Sequence, residues 1–242
     1  MIQIGHHSVW HFFGLDFHAD TIIAMLMVSA IIVAAAAVLR HFLLKSSPNG
    51  PTMLQAAVEM AMEPISALPA SVMGKKGDQY APLISTLFIF ILISNWFELL
   101  PINAVYSLFF DKWAPHIPHV TAPTTDLNVT AGLALVVFFS IHYIGFKEKG
   151  FAYLKKFFEP FFFFLPVNLM EEAAKPFSLA IRLFGNMFGK ETILMILISL
   201  VVFPVIYPVP ILALSLFIGF VQAFIFALLT TFYIGGAVSD GH

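Results

Sequence analysis

The last part of the chain is a long run without any formal charge. No Asp, Glu, Lys or Arg occurs between Thr192 and Ser239. A helix needs about 20 mostly apolar residues to cross the hydrocarbon of a bilayer, so this run is long enough for two crossings. It is interrupted by Pro204, Pro208 and Pro210, where one helix would end and another begin. The run therefore predicts a helical hairpin inside a membrane.

Three further segments have the length and composition of membrane-crossing helices. We place crossings at residues 21–41, 79–100 and 127–147, and the arms of the hairpin at 166–203 and 207–238. The chain as a whole has only 11% charged residues, against about 25% in soluble domains. We therefore predict an all-α integral membrane protein with about five crossings, in which residues 1–242 form a single membrane domain.

Two shorter segments, residues 51–73 and 151–164, mix apolar residues with charges or prolines and predict amphipathic helices at the membrane surface. Cations near the ends of the crossings indicate the orientation, because Lys and Arg collect on the cytoplasmic side. They follow the first and third crossings and precede the second: Arg40, Lys45, Lys75, Lys76, Lys147, Lys149, Lys155 and Lys156. We therefore expect the N-terminus outside and the C-terminus in the cytoplasm.

Composition excludes several classes of function. The net charge of −2, from 12 basic and 14 acidic side chains, provides no basic surface for a nucleic acid. The chain has no cysteine and so no thiolate metal site. His6, His7 and His11 suggest a metal site, but they lack a second group of ligands, and a surface-exposed terminus is favoured. No cleavable signal and no cofactor are predicted.

Arg182 is the charge that fits least well in a membrane. It is the only charged residue between Lys175 and Lys190, and an arginine at mid-membrane costs at least about 2.5–3.5 kcal/mol. An arginine does not release its proton in a protein, so it acts only as a fixed positive charge. The sequence favours a functional cation. The alternative is a structural one that pairs with a neighbouring acid or reaches the interface.

Two acids lie on either side of Arg182 along the predicted helix. Glu172 comes ten residues before it and Glu191 nine residues after it, which is about 15 Å and 13.5 Å along a straight axis. Neither has the i, i+4 spacing of a helical ion pair. Asn186 and Ser178 do share the face of Arg182. A cation with an ionisable acid on each side suggests two aqueous half-paths that do not meet.

The second arm of the hairpin carries one notable amide, Gln222. Depending on where the turn falls, Gln222 lies opposite Arg182 or opposite Lys190 and Glu191. A local hydrogen bond between the two helices is the plainer interpretation. Lys190 either pairs with a lipid head group or partner, or tunes the acid at Glu191.

Asn95, Asp126 and Asn128 lie at the ends of crossings that we expect to be external. Helix capping and the lining of a water-filled vestibule both account for such side chains, and the sequence does not decide between them.

Three motifs together resemble a known family. The run from Glu171 to Glu191 reads EEAAKPFSLAIRLFGNMFGKE, QAFIF follows at residues 222–226, and PTTDLN precedes it at 123–128. In this order and spacing they resemble subunit a of the F-type ATP synthase membrane sector, over essentially the whole chain. The resemblance implies a non-catalytic channel subunit whose last two helices are strongly tilted. With no transit peptide, it also implies a bacterial inner membrane.

The resemblance implies partners and roles as well. The partners are the c-subunit ring, which supplies the ion-carrying carboxylate, the peripheral-stalk b subunits, the remainder of the complex and the bilayer. Arg182 would separate an entry half-channel from an exit half-channel. The implied entry residues are Glu191, Asn186, Gln222, Lys190, Ser215, Asp126 and Asn128. The implied exit residues are Glu172, Glu171 and Ser178.

This sequence departs from the family pattern at Lys190, where many relatives have a small residue, and at Ser215, where some have a histidine. Glu98 replaces what is commonly a glycine. Two other classes remain as alternatives. A secondary transporter would show two related halves, which the sequence lacks. A redox subunit would need paired haem ligands, and His142 is the only histidine well inside a predicted crossing, since His41 is the last residue of the first one.

Overall fold

The computed structural model describes residues 9–12, 15–44, 52–97, 99, 122–158, 161–200 and 208–238. The described chain begins with a small antiparallel hairpin of β1 (Val9–Phe12) and β2 (Leu15–His18). Strand β2 continues directly into the first helix. Apart from these two strands, all regular structure in the described residues is helical, which confirms the predicted all-α class.

Within the described residues eight α-helices follow: α1 (Ala19–Leu44), α2 (Met53–Ser66), α3 (Leu68–Met73), α4 (Ala81–Phe97), α5 (Leu127–Lys149), α6 (Lys155–Phe158), α7 (Leu165–Leu200) and α8 (Pro208–Val238). Short 3-10 segments connect several of them: Gly74–Tyr80, Pro123–Thr125, Gly150–Leu154 and Phe162–Phe164. His6, His7, Glu98 and the predicted boundaries at residues 51, 100, 203 and 207 lie outside the described residues.

Local signals account for both ends of α5. Its N-cap is Asp126, whose side chain accepts a hydrogen bond from the backbone N–H of Asn128 at 2.8 Å. This contact satisfies one of the amides that a helix start leaves without a partner. The helix ends at Gly150, whose φ of 57° lies in the left-handed region that a residue without a Cβ adopts at little cost.

Four described segments are long and apolar enough to cross a membrane: Ala19–His41, Gln55–Phe97, Leu127–Phe158 and Leu212–Val238. Helix α7, which corresponds to the predicted crossing at residues 166–203, is not among them. It is nevertheless 36 residues long, or about 54 Å as a straight helix. This length exceeds the hydrocarbon thickness of about 30 Å.

The core lies between α4, α5, α7 and α8. Helix α4 packs on α8, and α5 packs on α7, while α7 and α8 also contact each other. The central apolar side chains are fully or almost fully buried: Ile84, Phe88, Ile91, Val137, Ile141, Leu179, Leu183, Ala223, Phe226 and Ala227. By contrast, α1 has little packing, and its Leu26 and Val33 are 62% and 67% exposed. Such an outer surface is typical of helices that face lipid.

Candidate functional site

Arg182 lies on α7 and is half-buried. Its Nη2 donates a hydrogen bond to the hydroxyl of Ser178, one turn earlier, at 3.4 Å. Within the part of the chain that the structure describes, no carboxylate lies within ion-pair distance of the guanidinium. The described contacts therefore give Arg182 a hydroxyl partner on its own helix, and its charge is not neutralised by them.

An amide pair joins the two long helices one turn beyond Arg182. The Asn186 side-chain nitrogen of α7 donates a short hydrogen bond to the side-chain oxygen of Gln222 on α8. Gln222 is 2% exposed, whereas Asn186 is exposed. The register thus lies between the two alternatives left open by the sequence, because Gln222 faces residue 186. Ser178, Arg182 and Asn186 therefore follow one another at successive turns of α7, and Gln222 of α8 is bonded to the last of them.

The face of α7 next to Arg182 is open at two glycines. A Cβ added at Gly185 or Gly189 would meet no atom within 4 Å. Large apolar side chains on the same helix, Ile181 and Phe188, are 47% and 48% exposed. Small residues on a membrane helix allow another helix to approach closely. This face therefore has the shape of a surface that another helix covers.

Asp126 is the centre of a second polar group, which we call the Asp126 cluster and which comprises His18, Thr21 and Asp126. The Asp126 Oδ2 lies 2.7 Å from His18 Nδ1 and accepts a hydrogen bond from the Thr21 hydroxyl at 3.0 Å. Burial raises the pKa of Asp126, but the hydrogen bonds from His18, the Asn128 backbone and Thr21 outweigh it. The pKa is therefore lowered from its ordinary value of 3.8.

Asn95 connects the Asp126 region with α8. Its side chain is fully buried; the oxygen accepts a hydrogen bond from the Thr124 hydroxyl at 2.9 Å, and the nitrogen donates to the Gly219 carbonyl at 3.1 Å. Ser215 is also buried, one turn before Gly219. Asn95 therefore does not act as a helix cap. Its bonds lead from the turn next to Asp126 to the helix that carries Gln222.

A third group, the Glu172 cluster, comprises Lys156, Glu172 and Lys175. Both ammonium groups donate to the Glu172 Oε1 at 2.6 Å, and the Glu172 side chain is only 5% exposed. The other carboxylate oxygen is buried and has no hydrogen-bond partner in the described residues. Glu171, the preceding residue, is exposed. As an ionised group, Glu172 of α7 thus connects its helix to α6 through Lys156.

These groups lie along the bundle in a definite order. Asp126 precedes the first residue of α5, whereas Tyr153, whose ring lies 5.6 Å from Lys156 Nζ, follows its last turn. The 23 residues of α5 span about 34 Å. The Asp126 and Glu172 clusters therefore lie near opposite ends of α5. Arg182 comes between Glu172 and Asn186 along α7.

The remaining predicted site residues are Lys190, Glu191 and Asn128. Lys190 is half-buried on α7, and the backbone of Glu191 is helical, although its side chain lies outside the described part. The Asn128 side chain is exposed, and only its backbone N–H joins the Asp126 cluster.

Sequence reasoning missed His18, Thr21 and Lys156, and it did not include Asn95 or Lys175 among the site residues. The i, i+3 spacing of Glu172 and Lys175 was a usable signal for that pair. The other contacts join residues far apart in the chain, and no local pattern marks them.

A family model of the ATP synthase A chain matches residues 22–235. The chain belongs to the ATP synthase A chain family. This membership confirms the resemblance carried by the motifs around Arg182 and Gln222. As a family member the chain is a multi-pass membrane subunit of the ATP synthase complex. Its family belongs to the proton-transporting membrane sector, and the catalytic subunits are other chains.

Proposed function

We propose that this chain is the proton-translocating stator subunit of a rotary F-type ATP synthase and that Arg182 separates two half-channels. The observation that carries the proposal is the placement of Arg182 on an open face of α7 without a carboxylate partner in the described residues. A guanidinium keeps its charge, so a carboxylate brought to this face by another subunit supplies the missing partner.

Arg182 performs two tasks in this proposal. A positive charge favours the ionised form of a nearby carboxylate, so a c-ring carboxylate that reaches Arg182 gives up its proton toward the exit side. The same charge opposes the passage of a proton directly from entry to exit. Each proton that crosses 100 mV provides about 2.3 kcal/mol, and this energy is available for rotation only while the direct leak is closed.

The entry half-channel is proposed to run from Asp126 and Asn128 toward the hairpin. The hydrogen bonds of Asn95 support this route, because they connect the turn at Thr124 with α8. Farther in, the route is proposed to follow polar groups on α7 and α8 to the face of Arg182: Ser215, Gln222, Asn186, Lys190 and Glu191.

The exit half-channel is proposed to run past Ser178 to Glu171 and Glu172. Ser178 is exposed and contacts Arg182 directly. Glu171 is in contact with solvent, whereas two lysines hold Glu172 as a fixed anion. In this arrangement Glu172 orders the path electrostatically, and Glu171 is the acid that exchanges protons with the cytoplasm.

The c ring is proposed to cover the face of α7 and α8 that carries Arg182, Gly185 and Gly189. The open space at both glycines supports this placement, since it leaves room for a ring helix. We further propose a bacterial inner membrane, an outer N-terminus, a cytoplasmic C-terminus and contacts with peripheral-stalk b subunits. The cations at the C-terminal end of α5, Lys147 and Lys149, support this orientation.

The decisive experiment compares the two arginines of the chain. We expect Arg182→Ala to lower proton-driven ATP synthesis by the assembled complex at least about 100-fold, because the ring carboxylate loses its counter-charge. Arg40→Ala, at an exposed position on α1, is the matched control and should stay within about twofold of the parent protein. Copurification with the c ring verifies assembly. ATP synthesis at a near-normal rate in an assembled Arg182→Ala complex would refute the proposed role.

A further inference from the structure

His18 lies where the N-terminal hairpin meets α1, and it is partly exposed while it contacts a buried acid. Its side chain is 32% exposed, whereas that of Asp126 is 5% exposed. The two side chains are 2.7 Å apart at Nδ1 and Oδ2. The imidazole is thus partly exposed and lies against the Asp126 carboxylate.

The contacts of Asp126 make it a positioning group for His18. Three donors converge on its carboxylate: the imidazole, the Thr21 hydroxyl and the Asn128 backbone N–H. A carboxylate held in this way fixes the orientation of the imidazole beside it. His18 combines this contact with Asp126 and a partly exposed side chain.

Other ionisable residues lie on the elements around this pair. Asp20 follows on α1 and is 2% exposed. In the hairpin His11 is opposite Asp16. Helix α7 also packs on the 3-10 turn before Asp126, and it carries Lys190 and Glu191 in the half toward that turn. Helix α4 contributes the neutral Asn95. Asp20 is thus buried, whereas His18 is partly exposed next to Asp126.

The pair also has a connection to the interior. Two residues before Asp126, Thr124 binds the side chain of Asn95, which in turn binds the Gly219 carbonyl of α8. Gly219 comes three residues before Gln222 on the same helix. Hydrogen bonds thus lead from the turn next to Asp126 to α8, three residues before the amide that binds Asn186.

We propose that His18 is the proton-collecting residue at the outer mouth of the entry half-channel, with Asp126 as its positioning residue. This inference rests on the proposed function. His18 takes up one proton from external water to become an imidazolium beside the Asp126 carboxylate. It then releases one proton to the inner side and returns to the neutral imidazole.

Such a residue is important when protons are scarce. At pH 8 a diffusion-limited encounter, at about 10¹⁰ M⁻¹ s⁻¹, delivers only about 100 protons per second to a single site. At pH 6 the same encounter delivers about 10⁴ per second. A histidine at the mouth therefore increases the proton supply mainly at alkaline pH, where free protons are scarce.

The test is passive proton flux through the membrane sector of the whole complex, after removal of the soluble head, at a fixed potential and with the pH of the mouth side varied. We expect His18→Gln to lower the flux about tenfold at pH 8, with little change at pH 5.5. Added imidazole should restore the flux of His18→Gly at pH 8. His142→Gln, at the other end of α5, is the matched histidine control and keeps the parent pH profile.

A purely structural role of His18 predicts a different result. Thr21→Val removes another hydrogen bond to the same Asp126 oxygen but leaves His18 in place, so the flux should keep the pH profile of the parent protein. If His18→Gln has the pH profile of the parent protein, or if imidazole does not restore His18→Gly, the inference is wrong. If Arg182→Ala lowers the flux as expected in the same membranes, a negative result for His18 rejects only the role of His18. If Arg182→Ala has normal flux, the proposed function itself is rejected.

Discussion

Glu171 and Glu172 are adjacent acids with opposite surroundings, and they provide a matched test of the Glu172 cluster. Glu172 is 4% exposed and binds two lysines, whereas Glu171 is exposed. Each is replaced by glutamine, which keeps the size of the side chain and removes its charge. We expect Glu172→Gln to destabilise the fold strongly and Glu171→Gln to have almost no effect.

The magnitude follows from the burial of the three partners. Removing one member of a buried ion pair costs about 3–5 kcal/mol, because the other charge remains buried without compensation. The side chain of Lys156 is 38% exposed and that of Lys175 is 18% exposed, so solvent screens part of this cost. We expect a loss of about 2–3 kcal/mol for Glu172→Gln, or about 30- to 150-fold in the folded to unfolded ratio. Glu171→Gln should stay within about 0.5 kcal/mol.

The assay is unfolding of the full chain in mild detergent by increasing SDS, followed by tryptophan fluorescence and circular dichroism. The free energies of unfolding of the two variants are compared with that of the parent chain. Equal values for Glu171→Gln and Glu172→Gln would refute the reasoning, since they would show that the lysines do not depend on Glu172. Proton flux per assembled complex is a second measurement. If the proposed exit path is correct, Glu172→Gln should slow the proton flux without causing a leak. An unchanged flux would mean that Glu172 has only a structural role.

Two further predictions concern packing and acid stability. Gly145→Ala should cost about 1–3 kcal/mol, because its Cβ would lie 2.4 Å from the Tyr153 ring. In the same helix a Cβ at Gly132 would meet open space, so Gly132→Ala should raise the free energy of unfolding by about 0.5–1 kcal/mol. SDS unfolding compares the two variants. Equal changes in the free energy of unfolding would contradict the predicted clash with Tyr153. The pKa of Asp126 is lower in the folded state than its ordinary 3.8. Its stabilisation is therefore fully present above about pH 4 and is lost as the pH falls through the lowered value. The free energy of unfolding, measured between pH 3 and pH 6, should show this loss in the parent chain and not in Asp126→Asn. The same acid dependence in both proteins would refute this prediction.

Much of the fold was predictable because membrane insertion limits the choice of structure. Backbone groups in hydrocarbon must bond within their own helix, so charge-free runs of sufficient length indicate helices with little ambiguity. The terminal hairpin, by contrast, was not anticipated. Its strands Val9–Phe12 and Leu15–His18 are too short for a reliable alternation pattern. They are stabilised by pairing with each other, which a local sequence pattern shows only weakly.

The candidate site was likewise predictable only in part. The neighbours of Arg182 on its own face, Ser178 and Asn186, followed from helical spacing alone. Spacing did not determine that Gln222 faces Asn186, because that register depends on where the two helices end and how they pack. The same limit applies to Lys156, which reaches Glu172 from a separate helix. The sequence cannot show such a contact, since the distance between helices is decided by the side chains packed between them.

By itself the sequence determined that this is a helical membrane protein of the ATP synthase A chain family and that Arg182 is its exceptional charge. Both conclusions rest on local properties: the cost of a charge in hydrocarbon, the length of a crossing and the order of short motifs. Only the tertiary structure decided that Glu172 is bound by two lysines and that Asp126 holds His18. These are contacts between distant parts of the chain, and they exist because buried carboxylates require donors that packing brings within hydrogen-bond distance.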